Sequence, residues 1–323
     1  MNILVVGGAG YIGSHVVREL LDQNYNVIVY DNLSSGSRKN LFKETDFIQG
    51  DILDHVSLEN VLQNNSIDAV FHFAAFKAAG ESMINPQKYA ENNINGTLNL
   101  LNSITKFKIN NFIFSSSAAV YGEPQYLPID EKHKTDPQNF YGFTKLEIER
   151  FLKWYDQLCN LKYAALRYFN AAGYDDKNRI KDIEKNPQNL LPSVMEVASG
   201  TRDKLLIFGD DYPTVDGTGV RDYIHVTDLA KAHVQALNYL ITQKKSITVN
   251  LGSETGISVK QILDTARKIT GKTIPAIITD RRNGDCASLY ATSKTAERLL
   301  NWKVQHSTLE NLVLSTWNQY QAQ

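Results

Sequence analysis

Cysteine is almost absent: the 323 residues hold two, Cys159 and Cys286, far apart in the chain. Two such thiols cannot frame a disulfide scaffold, and their scarcity suits a reducing compartment. An excess of one charge is missing too. Lys plus Arg total 34 against 35 for Asp plus Glu, a formal net charge of -1. Electrostatics therefore gives no argument for nucleic acid or a membrane surface as partner. No apolar run is long enough to span a bilayer. No basic leader with a cleavage site precedes the first strand-like run after Met1-Asn2. Repeats and low-complexity tracts are lacking as well. These absences point to a cytoplasmic, globular protein. The length suits one large α/β domain or two smaller ones.

What is present is a rhythm of strand and helix. Asn2-Ile-Leu-Val-Val6 reads as a buried strand. Gly7-Gly-Ala-Gly-Tyr-Ile-Gly13 follows, then helical spacing from Ser14 to Gln23. Strand, glycine turn and helix in that order are the context a dinucleotide fingerprint needs. The glycines let the backbone approach a pyrophosphate, seated at the positive end of the helix. The spacing Gly7-x-x-Gly10-x-x-Gly13 differs from the G-x-G-x-x-G of many dehydrogenases. A second strand, Asn26 to Tyr30, closes on Asp31, whose carboxylate can accept both ribose hydroxyls and would repel a 2′-phosphate. NAD is thereby favoured, with Arg38 and Lys39 downstream keeping NADP open.

Phe47 to Ile52 reads as a third strand with Asp51 and Ile52 framing an adenine, and Asp68 to Phe73 as a fourth, enclosing a core histidine, His72. A long helix is expected within Pro86 to Lys106, carrying Asn92 and Asn95. A fifth strand, Asn111 to Ser115, delivers Ser115, Ser116 and Ser117 to the carboxyl edge, where open α/β sheets bind ligands. With a sixth strand at Lys162 to Arg167, the alternation predicts a Rossmann-like, doubly wound parallel sheet over residues 1–170. Residues 171–323 then form mainly a smaller α/β substrate lobe, interleaved with the first. A polar stretch from Gly173 to Asn189 reads as a loop of the kind that covers a site. Beyond it the pattern predicts helices at Leu190–Ser199, Thr227–Leu240 and Ser258–Thr270, strands at Leu205–Phe208 and Thr248–Leu251, and two short helices near Thr292 and Ser307.

Tyr141-Gly-Phe-Thr-Lys145 is the stretch around which the chemistry gathers. Residues four apart on a helix share a face, so Tyr141 and Lys145 can point into one site. A phenol with a pKa near ~10 is a poor base at neutral pH. An ammonium beside it favours the phenolate and lowers that value. A serine hydroxyl from the Ser115–Ser117 run can hydrogen-bond the oxygen that gains or loses the proton.

These residues give the chain a resemblance to the extended short-chain dehydrogenase/reductase family, and within it to the UDP-hexose 4-epimerase branch, over essentially its whole length. Besides the glycine turn, the resemblance rests on Tyr30-Asp-Asn-Leu33, Phe112-Ile-Phe-Ser-Ser-Ser-Ala118, Val120-Tyr-Gly122 and Leu166-Arg-Tyr-Phe-Asn170. More specific still are Ile207-Phe-Gly209, Asp211-Tyr-Pro213, Asp216-Gly-Thr-Gly-Val-Arg-Asp-Tyr-Ile-His-Val226 and Arg281-Arg-Asn-Gly-Asp285. The resemblance implies Tyr141 as catalytic base, Lys145 as its activator and nicotinamide-ribose anchor, and Ser117 as the hydroxyl partner. Gly7, Gly10, Tyr11, Ile12 and Gly13 would hold the NAD pyrophosphate, Asp31 and Asn32 the adenosine ribose, and Asp51 and Ile52 the adenine. Phe73, Ala74, Lys77 and Asn92 would line the rest of the cofactor path, with Tyr168 against the nicotinamide. Asn170, Asn189, Leu190, Phe208, Arg221, Tyr223, Arg282 and Asp285 would hold UDP, two arginines being suited to a diphosphate. Leu289 would wall the hexose pocket, where a large aromatic excludes an N-acetyl group and a small side chain admits it.

The implied reaction interconverts UDP-galactose and UDP-glucose. Tyr141 takes the proton of the sugar 4-hydroxyl while C4 passes hydride to tightly held NAD; the 4-keto sugar turns over, and both return to the other face. UDP-N-acetylhexosamines stand as alternative substrates, and a homodimer through the helices near Pro86–Lys106 and Tyr141–Leu158 is the family habit. A dehydratase or decarboxylase would need an acid beside the serine, and Ala118 and Ala119 stand there instead. A net reductase and a non-catalytic NAD-sensing scaffold remain as readings from other classes. No metal enters any of them.

Overall fold

Runs such as Ile3-Leu4-Val5-Val6 and Ala69-Val70-Phe71 carry no polar alternation, which makes strands buried on both faces. The computed structural model describes residues 1–184, 187–282 and 285–323. Its first half runs β1 (Asn2–Val6), α1 (Tyr11–Asp22), β2 (Asn26–Asp31), β3 (Asp46–Gln49), α2 (His55–Asn64), β4 (Ala69–His72), α3 (Ala79–Ile84), α4 (Pro86–Tyr89), α5 (Thr97–Lys106), β5 (Asn111–Ser117), α6 (Phe140–Cys159) and β6 (Lys162–Tyr168). The second half follows with β7 (Asn170–Ala172), α7 (Leu190–Ser199), β8 (Leu205–Phe208), β9 (Val220–His225), α8 (Val226–Gln243), β10 (Ile247–Leu251), β11 (Gly256–Ser258), α9 (Val259–Thr270), β12 (Ala276–Thr279), β13 (Ser288–Leu289), α10 (Lys294–Leu300) and α11 (Leu309–Gln321).

The main sheet has the order β3-β2-β1-β4-β5-β6-β10. All its pairings are parallel. Alternate residues of one strand feed opposite cores. Ile3 and Val5 join Val16 and Leu20 of α1 and Leu229 and Val234 of α8. Leu4 and Val6 join Leu58 of α2, Leu100 of α5 and Ile148 of α6. Full burial of each such side chain contributes about 1.5–3 kcal/mol. Because α8 and β10 return to this sheet, later segments complete the first layer.

The remaining strands build a second layer. The strands β11, β9 and β13 run side by side, with β7 also on β9, and β8 pairs β12. A core with Val194 of α7, Ile262 of α9 and Trp317 of α11 backs them.

Three expectations change in detail. The helix within 86–106 is continuous but π-helical from Ala90 to Gly96. Buried Asn93 in that turn accepts from Phe76 N at 2.9 Å and donates to Phe76 O at 3.0 Å, so its side chain fixes the chain leaving β4. The third strand ends at Gln49. Asp51 Oδ1 accepts from Leu53 N at 2.9 Å, a turn that leads the backbone into α2. The last helix is not short; capped by Thr308, it runs 13 residues.

Candidate active site

The parallel strands all end at one edge, and order reverses between β1 and β4, which is where such sheets bind ligands. A cleft of about 470 Å³ opens there. A second concavity of similar volume over α2, lined by Asp54, Ser57 and Asn64, holds none of the expected catalytic groups.

The glycine turn forms one wall. Gly7 has φ +82°, and a Cβ on it would stand 2.6 Å from Ala74 N. A Cβ on Gly13 would stand 2.2 Å from Gly7 O, so both glycines are demanded by backbone packing. Gly10 differs: it begins α1 without a side-chain cap, and its Cβ would meet only Gly7 O, at 3.4 Å. The space beside Gly10 and the first-turn N–H groups of Tyr11, Ile12 and Gly13 are thus left to an anion, and all four residues line the cleft. That fits a pyrophosphate.

Asp31 and Asn32 line the far end. Asp31 accepts from Ala9 N at 2.9 Å and Leu33 N at 2.8 Å, so it also braces the glycine turn, and burial pushes its carboxyl up. Ile52 lines the cleft, whereas Asp51 stands behind, accepting from Asn32 Nδ2 at 2.8 Å. Arg38 lies over Phe47 and donates to Gln49 Oε1. Phe73, Ala74, Lys77 and Asn92 line the opposite side. Lys77 Nζ meets Glu184 of the covering loop at 2.8 Å. Lys185 and Asn186 of that loop lie outside the described residues, as do Asn283 and Gly284 of the Arg281–Asp285 motif.

Ser117, Tyr141, Lys145 and Tyr168 meet in the middle of the cleft. Asn139 caps α6 by accepting from Gly142 N at 2.9 Å. A Cβ at Gly142 would stand 2.4 Å from Ala119 O, so glycine lets the helix start lie on the turn after Ser117. The Tyr141 phenol lies beside the Ser117 side chain, whose Oγ accepts from Ala119 N at 3.2 Å. Lys145 is buried, donates to Ser115 O at 2.7 Å and stands 5.8 Å from the Tyr141 ring centroid. Tyr168 shares a hydrogen bond with Ser115 Oγ.

The electrostatics departs from the simple expectation. Burial pushes the Tyr141 phenol up, and the neighbouring Ser117 side chain opposes it. Lys145 is itself lowered to about 7 by burial, with only the Glu149 carboxylate holding it up. In the protein alone, desolvation therefore outweighs the ammonium's pull on the phenol. His72 is a core residue: Nε2 meets Thr97 Oγ1 at 2.8 Å, Nδ1 has no protein partner, and burial lowers the ring to about 3.

The residues expected to hold UDP fall into two groups. Asn170 and Asn189 line the cleft. Asn170 Nδ2 donates to Asp222 O at 3.1 Å, and Leu190 begins the helix that Asn189 precedes. Phe208, Arg221, Tyr223, Arg282, Asp285 and Leu289 belong to the second layer, outside the lining of the 470 Å³ cleft. Register connects the two groups: Asn170 pairs Tyr223, and Leu289 pairs Arg221. Arg221 Nη2 stands 3.5 Å from Asp285 Oδ1, and the Arg282 guanidinium lies 3.7 Å over the Phe208 ring. Leu289 packs against Val120, Tyr121 and Ile129.

Sequence reasoning passed over Asn93, Gly142 and the buried Glu149. Only Glu149 left a usable signal, four residues beyond Lys145 on the same helix.

Comparison with known proteins places these features in a lineage. The NAD dependent epimerase/dehydratase family matches residues 3–252. A UDP-glucose 4-epimerase of Lacticaseibacillus casei is 46% identical over 98% of this chain and 96% of its own. The crystal structure of the Brucella ovis UDP-glucose 4-epimerase in complex with NAD is 42% identical with a TM-score of 0.96, covering 99% of this chain and 98% of that one. The Bifidobacterium longum enzyme in complex with NAD+ and UDP is 39% identical with a TM-score of 0.94 over 99% and 98%.

Proposed function

The chain belongs to the NAD dependent epimerase/dehydratase family, and from that premise we infer that it is an isomerase interconverting UDP-galactose and UDP-glucose, with NAD as cofactor. The observation that carries this reading is the meeting of Ser117, Tyr141 and Lys145 in a cleft walled by an uncapped glycine turn. When bound, NAD supplies the acceptor and donor of hydride for sugar C4. The remaining work falls to the chain. Tyr141 takes the proton of the 4-hydroxyl and later returns it, as a general base and acid. Ser117 orients the phenol, and Lys145 contributes positive charge beside it. Gly7, Gly10 and Gly13 admit the pyrophosphate, Asp31 and Asn32 take the adenosine ribose, and Tyr168 backs the nicotinamide.

UDP is held by Arg221 and Arg282, helped by Asn170, Asn189, Phe208, Tyr223 and Asp285. The domain division follows: residues 1–170 bind the dinucleotide and residues 171–323 mainly the UDP-sugar. Among the described residues no helix is long and apolar enough to cross a membrane. A cytoplasmic address and a homodimer complete the reading. The exposed Met83 and Ile84 of α3 and Phe143, Trp154 and Leu158 of α6 supply an apolar face for the second copy.

Proton NMR of UDP-galactose incubated with the purified protein, without added nicotinamide nucleotide, tests the assignment. Signals of UDP-glucose are expected from cofactor carried through purification. UDP-galactose that stays inert even with NAD added overturns the hexose reading.

A further inference from the structure

Tyr141, Lys145 and Glu149 stand one helical turn apart on a single face of α6. Glu149 and Arg167 are both 7% exposed. Their contact is a fork: Arg167 Nε donates to Glu149 Oε1 at 2.9 Å and Nη2 to Oε2 at 2.5 Å. Ser116 Oγ, one residue before Ser117, donates to the same Oε1 at 2.6 Å. Arg167 Nη1 continues to the Tyr121 hydroxyl at 2.9 Å, which donates to Asn250 Oδ1 at 2.6 Å. Strand register puts Arg167 opposite Ser116 and Tyr168 opposite Ser117. One carboxylate thus ties the helix bearing the phenol and the ammonium to the strand end bearing the serine.

Stability alone does not account for the pair. A buried ion pair loses its hydration, and apolar residues of similar volume often replace it at no cost. What apolar packing cannot reproduce is a directed bond to Ser116 together with negative charge one turn from Lys145. We infer that Glu149, clamped by Arg167, is a positioning residue for the reaction: it fixes the strand end of Ser117 against Tyr141 and sets a carboxylate one helical turn from Lys145. The inference rests on the epimerase reading above. Facing Lys145 are Tyr141 and Glu149 of its own helix, the Ser115 carbonyl of β5 and His72 of β4; Arg167 of β6 stands beyond Glu149.

Two variants test it in the holoenzyme beside wild type: Glu149→Gln, and Glu149→Leu combined with Arg167→Leu. The readouts are thermal stability, UDP affinity, and the rate at which UDP-galactose reduces bound NAD across a pH series. The double variant is expected to fold and bind UDP as wild type does, yet to reduce its NAD about 10- to 100-fold more slowly, the penalty of a small misplacement. Glu149→Gln keeps an acceptor for Ser116 but removes the charge, so the alkaline limb of the profile moves to lower pH. A structural role alone would leave that limb in place. A folded double variant with wild-type rate, or an unmoved limb in Glu149→Gln, overturns the inference. Wild type inert toward UDP-galactose would instead sink the epimerase reading, so the two failures are distinguishable.

Discussion

Gly10→Ala and Gly13→Ala separate cofactor binding from folding. A Cβ on Gly13 would stand 2.2 Å from Gly7 O and 2.9 Å from Gly8 Cα, all backbone that cannot rotate aside. Overpacking of that severity costs about 3 kcal/mol. For a chain of this size the expected fall in melting temperature is roughly 4–5 °C. At Gly10 the Cβ meets only Gly7 O, at 3.4 Å, and the backbone is extended at φ -77° and ψ 174°. Losing glycine there stabilises by about 0.4–1 kcal/mol through the unfolded chain. Losing a tolerated N-cap residue costs a similar amount. The melting temperature of Gly10→Ala should therefore stay near wild type. Its methyl enters the space left for the pyrophosphate, and a penalty of about 1–3 kcal/mol weakens NAD roughly 5- to 150-fold. Melting curves of all three proteins stripped of cofactor, with NAD titrated by calorimetry, decide the matter. Wild-type NAD affinity in Gly10→Ala, or a wild-type melt for Gly13→Ala, refutes the reasoning.

Arg282→Ala should weaken UDP by about 1.5–3 kcal/mol, the worth of a charge-assisted bond, and raise KM with kcat little changed; calorimetric titration with UDP checks it. Leu289→Tyr adds bulk beside Tyr121 and should narrow the range, suppressing any turnover of UDP-N-acetylhexosamines while sparing UDP-galactose; parallel NMR assays of the two decide, and unchanged N-acetyl activity counts against a gatekeeping role. Acid should destabilise the fold well before carboxylates with ordinary pKa values titrate. Burial lowers His15 and His233 to about 4 and His72 and His225 to about 3, so below the usual value of 6.5 the unfolded chain binds more protons. Each subtracts up to about 1.4 kcal/mol per pH unit as pH falls from 6.5. Buried Asp222, raised to about 6, works in reverse, its contribution being lost as pH rises through that value. Four groups outweigh one, and a melting temperature that does not fall between pH 7 and pH 5 would show the histidines to be charged in the fold.

The order of elements in the first layer was legible because a two-sided sheet forces continuous apolar runs, and glycines punctuate them. Helix α7 and strand β8 begin and end where the pattern placed them. The π-helical turn was not legible: its cause is one buried side chain, Asn93, meeting a backbone segment 17 residues away. Gly142 was invisible for the same reason, since the carbonyl it must clear belongs to another element. The expected lowering of the Tyr141 pKa failed because spacing reports which groups are neighbours and says nothing of how dry they are. Burial at the centre of the sheet edge raises the phenol and lowers the ammonium together.

That joint burial bears on how the site works. A neutral phenol beside a serine and an ammonium near its titration point is a poor base until positive charge arrives. NAD held along Gly10, Asp31 and Tyr168 would supply such charge in its oxidised form. The same groups can then serve both directions of a reaction with no net oxidation. The arginines lie outside this dry centre, on strands whose register ties them to Asn170 at its edge. A grip on a diphosphate by these arginines would thereby be separated in space from proton transfer in the cleft, as a sugar that must turn over between two hydride transfers requires.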